Sequence, residues 1–240
     1  MRRDTRPYFV RNLRDSFERW RVRHFLEPQF DSLGEDLTAV YVAGIELWGA
    51  NIHAGRSLHL NAAKGSMIRL ATWDNGQRVG EIHIGDYVLI SPGNKIIASE
   101  KISIGSNTML ASGCYISDSD WHDTYDRTAE LDKHAPVVLE ENVWLGVNVI
   151  VGKGVTIGEN SIIGAGSVVV SDIPANVIAA GNPAKVVKQL DPTRELKKRV
   201  ELLGHTSSIH TEMDQLRKYL LRHNTLLSWL MAHIRPTRKD

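Results

Sequence analysis

The chain has one cysteine, Cys114, so no disulfide framework can form within it, and cysteine use suits a reducing, cytoplasmic setting. It has no run of eighteen apolar residues, so no helical membrane span is expected. The arginine-rich start lacks the apolar stretch and small-residue cleavage site of a signal peptide. Charge of one sign is also missing. A formal net charge of +1 gives no global field to recruit nucleic acid. From Ile84 to Val169 the main aliphatic positions do not follow the helical alternation of three and four either.

What stands there instead is a beat of six. From Leu139, the aliphatic residues Leu145, Val151, Ile157, Ile163 and Val169 recur at every sixth position. Four are followed at once by glycine (Gly146, Gly152, Gly158, Gly164), and Val149, Val155, Ser161 and Ser167 fill a second small or β-branched slot. The same beat runs earlier as Ile84, Ile90, Ile96 and Ile102, slips to Ile104, Leu110 and Ile116, and then stops until Leu139. A six-residue unit cannot bury its own apolar face and must stack on copies of itself, which predicts a mainly β, parallel β-helical solenoid. The glycines, or Asn107, Asn148 and Asn160, are expected to take the tight backbone at its corners. Cys114 falls in a small-residue slot and is expected to pack there.

The ends are different material, giving an expected helical segment over 1–36, the solenoid over 37–190 and a helical tail over 191–240. Phe9, Leu13, Phe17 and Trp20 form one helical stripe among arginines, expected to dock on the solenoid's open end; a basic membrane-surface helix is the alternative. The solenoid's opening over 37–82 is less regular, and Asn75-Gly76 suggests a tight hairpin. Asp191-Pro192 is expected to start a helix carrying Leu196, Val200 and Leu203, closed by Gly204. Ile209, Met213, Leu216, Leu220, His223, Leu227, Leu230 and Ile234 then alternate by four and three. That seam predicts a coiled coil between protomers, or a helix folded against its own solenoid.

Between Ile116 and Leu139 the beat is interrupted by a long loop containing Asp118, Asp120, Trp121, His122, Asp123, Tyr125, Asp126, Arg127 and His134. Loops thrown from a rigid scaffold carry function disproportionately. Imidazole among carboxylates is the composition of a general base at neutral pH, and the bland alternative is a solvated acidic loop.

From Glu141 to Lys188 the sequence ENVWLGVNVIVGKGVTIGENSIIGAGSVVVSDIPANVIAAGNPAKVVK resembles the hexapeptide-repeat acyltransferases, especially the galactoside and maltose O-acetyltransferase branch. WGANIHAGRSLHLN, from Trp48 to Asn61, resembles the opening coil of the same enzymes, so the likeness spans roughly residues 45–190. It implies a left-handed β-helix assembling as a homotrimer with sites between protomers, a hand that strand geometry alone would not suggest. It also implies acetyl-CoA as co-substrate without a metal. His122 matches the family's catalytic histidine and Asn61 an asparagine that helps hold the reacting carbonyl. Val147, Ala165, Val170 and Ser171 match the coenzyme side of the site, and Lys185 and Lys188 stand at two basic positions that meet coenzyme phosphates. Lysine there keeps charge but loses the bidentate fork of arginine. A carboxylate or carbonyl is expected to fix the His122 tautomer, with Asp118, Asp120 and Asp123 as the choices.

The N-terminal region does not resemble the sugar-binding segment of those enzymes. Trp73, Asp74, Asp120, Trp121, Tyr125, Asp126 and Arg127 are therefore the acceptor candidates by residue type alone. The implied activity is transfer of an acetyl group to a hydroxyl of a sugar or glycan precursor, as in polysaccharide biosynthesis. N-acylation of a nucleotide-linked amino sugar and antibiotic acetylation are alternatives. Further rivals are a non-catalytic scaffold and a γ-carbonic-anhydrase-like zinc enzyme drawing on His53, His59, His83, His122 or His134.

Overall fold

A computed structural model describes residues 4–74, 76, 78–128, 133–203 and 206–235, the side chains of 203 and 206–213 excepted. From Ser32 to Val169 short strands follow one another around a three-sided prism, and each up to Ile150–Val151 pairs in parallel with the strand three places later. The first face comprises Ser32–Leu33, Ile52–Ala54, Glu81–Ile84, Lys101–Ile104, Val137–Leu139 and Thr156–Ile157. The second comprises Thr38–Val40, His59–Asn61, Leu89–Ile90, Met109–Leu110, Trp144–Leu145 and Ile162–Ile163, and ends in an antiparallel hairpin, Val177–Gly181 with Ala184–Gln189. The third comprises Ile45–Trp48, Ile68–Thr72, Lys95–Ala98, Tyr115–Ser117, Ile150–Val151 and Val168–Val169.

The six-residue beat is the inward column of each face. Ile84, Ile104, Leu139 and Ile157 stack in register on the first. Leu60, Ile90, Leu110, Leu145 and Ile163 stack on the second, and Leu70, Ile96, Ile116, Val151 and Val169 on the third. All are buried, and each such side chain contributes roughly 1.5–3 kcal/mol over its exposed state. The slip from Ile102 to Ile104 also has a simple cause. Two residues apart on one strand, both point inward, with Ile102 on Ile82 and Ile104 on Ile84.

At the corners the asparagines named from sequence, not the glycines after the aliphatics, take the tight backbone. Asn107, Asn142, Asn148, Asn160 and Asn176 take the left-handed backbone, with φ near +60°. The side chains of three of them form a ladder, Asn142 Nδ2 donating to Asn160 and Asn160 Nδ2 to Asn176, each at 2.9 Å. The glycines after the aliphatics have no positive φ; Gly146 and Gly158 are needed because the next coil passes too close for a Cβ. Val149, Val155, Ser161 and Ser167 are buried at the corners. Cys114 is buried with them, its thiol donating to Ala111 O at 3.3 Å and Gly146 O at 3.2 Å, and burial pushes that thiol up to about 11.

The ends correct several expectations. Helix α1 (Tyr8–Arg21) forms, yet Phe9, Leu13, Phe17 and Trp20 remain exposed. The solenoid's open end is plugged by the following turn, whose Val22 and Leu26, with Phe30, are buried in one cluster with Val42. Helix α1 reaches that cluster through Glu18, which accepts from Val42 N at 3.4 Å. The solenoid also begins earlier than 37, since Ser32–Leu33 already pairs with His53–Ala54. No helix starts at Asp191; its carboxylate instead closes a turn by accepting from Thr193 N and Oγ1, and α2 spans only Arg199–Leu203. This strap is tied along the first–second corner, where Arg199 Nε donates to Tyr87 O and Val200 N to Asn107 Oδ1.

The heptad seam is not one helix. Helix α3 (Thr206–Leu221) ends before a turn, and Thr225, with a capping box to Ser228, starts α4 (Leu226–Ile234). Local capping thus overrides the seam beside His223. Helix α3 lies against α1, with Tyr8 Oη donating to Asp214 at 2.8 Å. Asn75, Gly204 and the side chains of Ile209 and Met213 lie outside the described residues. Asp74 and Val79 form an antiparallel bridge on either side of the expected hairpin.

Candidate active site

The third face carries two outward rows set by strand alternation: Glu46, Arg69 and Lys95 in one, Trp48, Ala71 and Ile97 in the other. Ala71 is the smallest member of its row and leaves a dent of about 200 Å³ lined by Glu46, Trp48, Arg69, Ala71, Trp73 and Ile97. Arg69 forks onto Glu46, Nε to Oε2 at 2.9 Å and Nη2 to Oε1 at 3.2 Å. Trp73 follows the strand, held by its N–H to Ala98 O at 2.8 Å, and its ring lies 6.5 Å from that of Trp48.

The long loop leaves this face at Ser117. Asp118, fully buried, accepts from Ser99 N at 2.7 Å and Glu100 N at 2.8 Å, and Ala135 N returns to Asp118 O at 2.9 Å. Burial raises the Asp118 carboxyl above the ordinary range, opposed by those backbone donors. Trp121 takes a left-handed φ of 62°, and its Nε1 donates to Ser117 Oγ at 3.1 Å. That folds the indole back over the third face, edge-on to Trp73 at 6.2 Å. His122 comes next in the chain; it is exposed and, among the described residues, its ring has no hydrogen-bond partner.

None of the three expected carboxylates orients that ring. Asp118 anchors the loop base. Asp120 pairs with Lys153. Asp123 pairs with Lys133 and accepts from Tyr125 N and Asp126 N, which together hold its carboxyl well below the usual range. The acceptor candidates separate too. Trp73 and Trp121 meet, with Asp74 beside them capping Gly76 N at 2.8 Å. Tyr125, Asp126 and Arg127 lie in an exposed turn closed on itself through Thr124 and Thr128. Trp48, Ala71 and the Glu46–Arg69 pair were missed from sequence, although the apolar–polar alternation of Ile45 to Trp48 was the signal for two outward side chains.

The remaining expected residues line two edges of the same face. Asn61, Val147 and Ala165 are exposed along the second–third corner, where Gly166 N donates to Val147 O at 2.7 Å. Val170 and Ser171 are exposed at the third–first corner, the corner from which the His122 loop springs. Lys185 and Lys188 are exposed on the terminal hairpin, opposite Ala180 and Ile178. The histidines of the zinc alternative are scattered. His53 and His83 stack at 4.9 Å on the first face, His59 lies on the second, and His134 sits at the loop base 3.9 Å from Glu100. Among the described residues no three His, Cys, Asp or Glu side chains are grouped to hold a metal ion.

A family model described as "Bacterial transferase hexapeptide (six repeats)" matches residues 136–171. The chain is also 31% identical over 160 residues to WbbJ of Escherichia coli K12, named for lipopolysaccharide biosynthesis O-acetyl transfer, covering 62% of this chain and 74% of that protein. The chain belongs to the hexapeptide-repeat transferases. Its solenoid is accordingly a left-handed parallel β-helix. The galactoside O-acetyltransferase of Escherichia coli K12 is 37% identical over 112 residues, 46% of this chain and 55% of that one. AntD, an N-acyltransferase from Bacillus cereus solved as a serine-to-threonine mutant with dTDP and coenzyme A, shares the fold with a TM-score of 0.59 at 19% identity, over 78% of this chain and 95% of that one. The chain spans about half the length of the first curated relatives it matches, 56%, 45% and 58%. Among the described residues no helix is long and apolar enough to cross a membrane.

Proposed function

We propose that this protein transfers an acetyl group from acetyl-CoA to a hydroxyl of a sugar or glycan precursor, with His122 as general base. The observation that supports the reading is an exposed imidazole, unpartnered among the described residues, directly after a Trp121 whose indole meets Trp73 edge-on at 6.2 Å. In the proposed step His122 takes the acceptor's hydroxyl proton as that oxygen attacks the thioester carbon. The new C–O bond forms, the C–S bond breaks, and the imidazolium returns its proton to the departing thiolate. Charge on the carbonyl oxygen needs a donor already aimed at it, the proposed role of the Asn61 amide. One such donor is commonly worth about 3–4 kcal/mol in the barrier. A buried Cys114 with a raised pKa supports direct transfer over an acyl-enzyme.

Asn61 and His122 spring from opposite edges of the third face. At ~3.3 Å per strand residue, a six-residue side spans on the order of 15–20 Å, far beyond the hydrogen-bond reach both groups need to one reacting centre. We therefore assign the site to a cleft between protomers of a homotrimer, one edge from each. Val147 and Ala165 then face Val170 and Ser171 across the coenzyme, and Lys185 and Lys188 meet its phosphates.

The test is a thiol-release assay with acetyl-CoA across hydroxyl and amino sugars. Turnover with hydroxyl sugars is expected, reduced at least a hundredfold in kcat by His122→Ala with the oligomer intact. Activity with amines alone would overturn O-transfer. Near-native turnover in the variant would remove His122, and a fully active monomer by light scattering would remove the shared cleft.

A further inference from the structure

The dent on the third face is built from parts that no role in acetyl-CoA handling uses. Trp48 and Trp73 leave 57% and 46% of their surface exposed, flanking Ala71 with their rings 6.5 Å apart and tilted by 33°. Large indoles exposed as neighbours, not scattered singly, mark a surface kept for something else to cover. Trp121 is not part of the lining, but its indole stands edge-on to Trp73 at 6.2 Å and is tethered to Ser117 Oγ. The polar side is the Arg69–Glu46 fork, which offers donor and acceptor atoms with no net charge.

Each part selects against something. A volume of about 200 Å³ lies under the ~300 Å³ floor of drug-sized pockets and suits one ring. An aromatic face carries negative quadrupole charge and attracts the positive edge of C–H groups, so it favours a saturated ring with an apolar face. Within the lining the one cation, Arg69, is already committed to a carboxylate, and Lys95, next in the same row, lies outside the lining, so the dent itself offers an anion no free cation. Hydroxyls on the ring's rim would find both partners at Glu46 and Arg69.

We infer that this dent binds one neutral pyranose ring of the acceptor, its C–H face on Trp48 and Trp73 and its hydroxyls toward Glu46 and Arg69. Trp121, edge-on to the lining indole of Trp73, links this dent to the loop that carries His122 one residue further on. The assignment rests on the proposed acetyl transfer for its catalytic meaning, but binding itself is measurable without turnover.

The experiment is saturation-transfer NMR on the full chain with methyl glucoside, galactoside and mannoside, against methyl glucuronide and uridine as charged and planar rivals. At least one neutral pyranoside is expected to receive saturation. Its affinity should fall at least tenfold in Trp48→Ala, Trp73→Ala and Ala71→Leu, the last filling the dent while all three indoles stay. Trp48→Tyr should recover part of the binding, and circular dichroism checks that each variant is folded. In turnover, the same variants should raise the acceptor KM at least tenfold. Absence of binding by any pyranoside, native-like binding in all three variants, or stronger binding of glucuronide or uridine would overturn the inference. Loss of turnover in His122→Ala with pyranoside binding retained supports it. Unchanged turnover in that variant would fell the general-base assignment while leaving the dent's ligand standing.

Discussion

Gly152 and Gly158 occupy the same place in consecutive repeats, each directly after an inward aliphatic, yet alanine should have opposite effects at the two. A Cβ on Gly158 would lie 2.3 Å from Ala175 N, 2.7 Å from Ala175 Cα and 2.8 Å from Pro174 C. All three are backbone atoms of the next coil, which is fixed there by Gly158 N to Ile173 O and Asn176 N to Glu159 O, both at 2.8 Å. Nothing at the end of a flexible side chain can give way, so the cost should reach the upper end of the usual 1–3 kcal/mol for overpacking. At about 2–4 °C per kcal/mol for a chain of this size, Gly158→Ala should lower Tm by roughly 6–12 °C. At Gly152 the nearest atom is Val169 O at 3.6 Å, and φ is not positive. Gly152→Ala should then be neutral, or stabilising by about 0.4–1 kcal/mol through the unfolded chain's lost freedom. Thermal and urea melts followed by circular dichroism measure both. Equal losses, or a larger loss at Gly152, would refute the argument that coil-to-coil contact, not corner dihedrals, places these glycines.

Cys114 should resist a thiol reagent at pH 8 until urea unfolds the chain, and Cys114→Ser should keep native turnover; rapid labelling of the folded protein would contradict its burial. Its thiol is raised from 9.0 to about 11 in the folded state, so the stability it supports is complete below pH 9 and is lost as pH rises through 11. The loss amounts to about 2–3 kcal/mol across that window at ~1.4 kcal/mol per pH unit. Alkaline melts of Cys114→Ser should lack this component, and an identical pH profile would dismiss it. Lys185→Glu and Lys188→Glu should each raise the KM for acetyl-CoA about tenfold, since a charge-assisted hydrogen bond is worth about 1.5–3 kcal/mol. An acceptor KM that moved instead would reassign the hairpin.

The solenoid was legible because its periodicity is enforced at every rung. A residue such as Leu110 or Ile163 must point inward whatever surrounds the chain, and six is a period nothing else explains. The phase slip at Ile102 was visible but not interpretable, because only the strand length shows that Ile102 and Ile104 share one face. The termini misled for the opposite reason. The stripe of Phe9, Leu13, Phe17 and Trp20 forecasts a helix correctly, but amphipathicity does not say which surface will cover it. At the C-terminal end, the seam through His223 lost to a two-residue capping box that acts locally. The dent was half legible. Trp73 and Trp121 stood out by type, whereas Ala71 matters through being small and gives no signal in a sequence.

The loop chemistry shows how proximity in sequence can misdirect. His122 sits among three aspartates, and composition alone suggests that one of them steers the imidazole. Each is consumed by building the loop: Asp118 pins it to Ser99 and Glu100, Asp120 ties it to Lys153, and Asp123 caps its outer turn against Lys133. A segment crossing from one face to the next has backbone groups that no sheet satisfies, and short carboxylates are well suited to satisfying them. The consequence is a stalk braced at three points, presenting a ring that no described residue of this chain engages. On the proposed reading, that ring is completed from outside the protomer, by the substrates and by the opposite edge of a neighbouring third face. On the same reading Asn61 and His122 stand on different corners because one side, on the order of 15–20 Å across, holds its two edges too far apart to meet at one atom, whereas edges of two neighbouring prisms can meet.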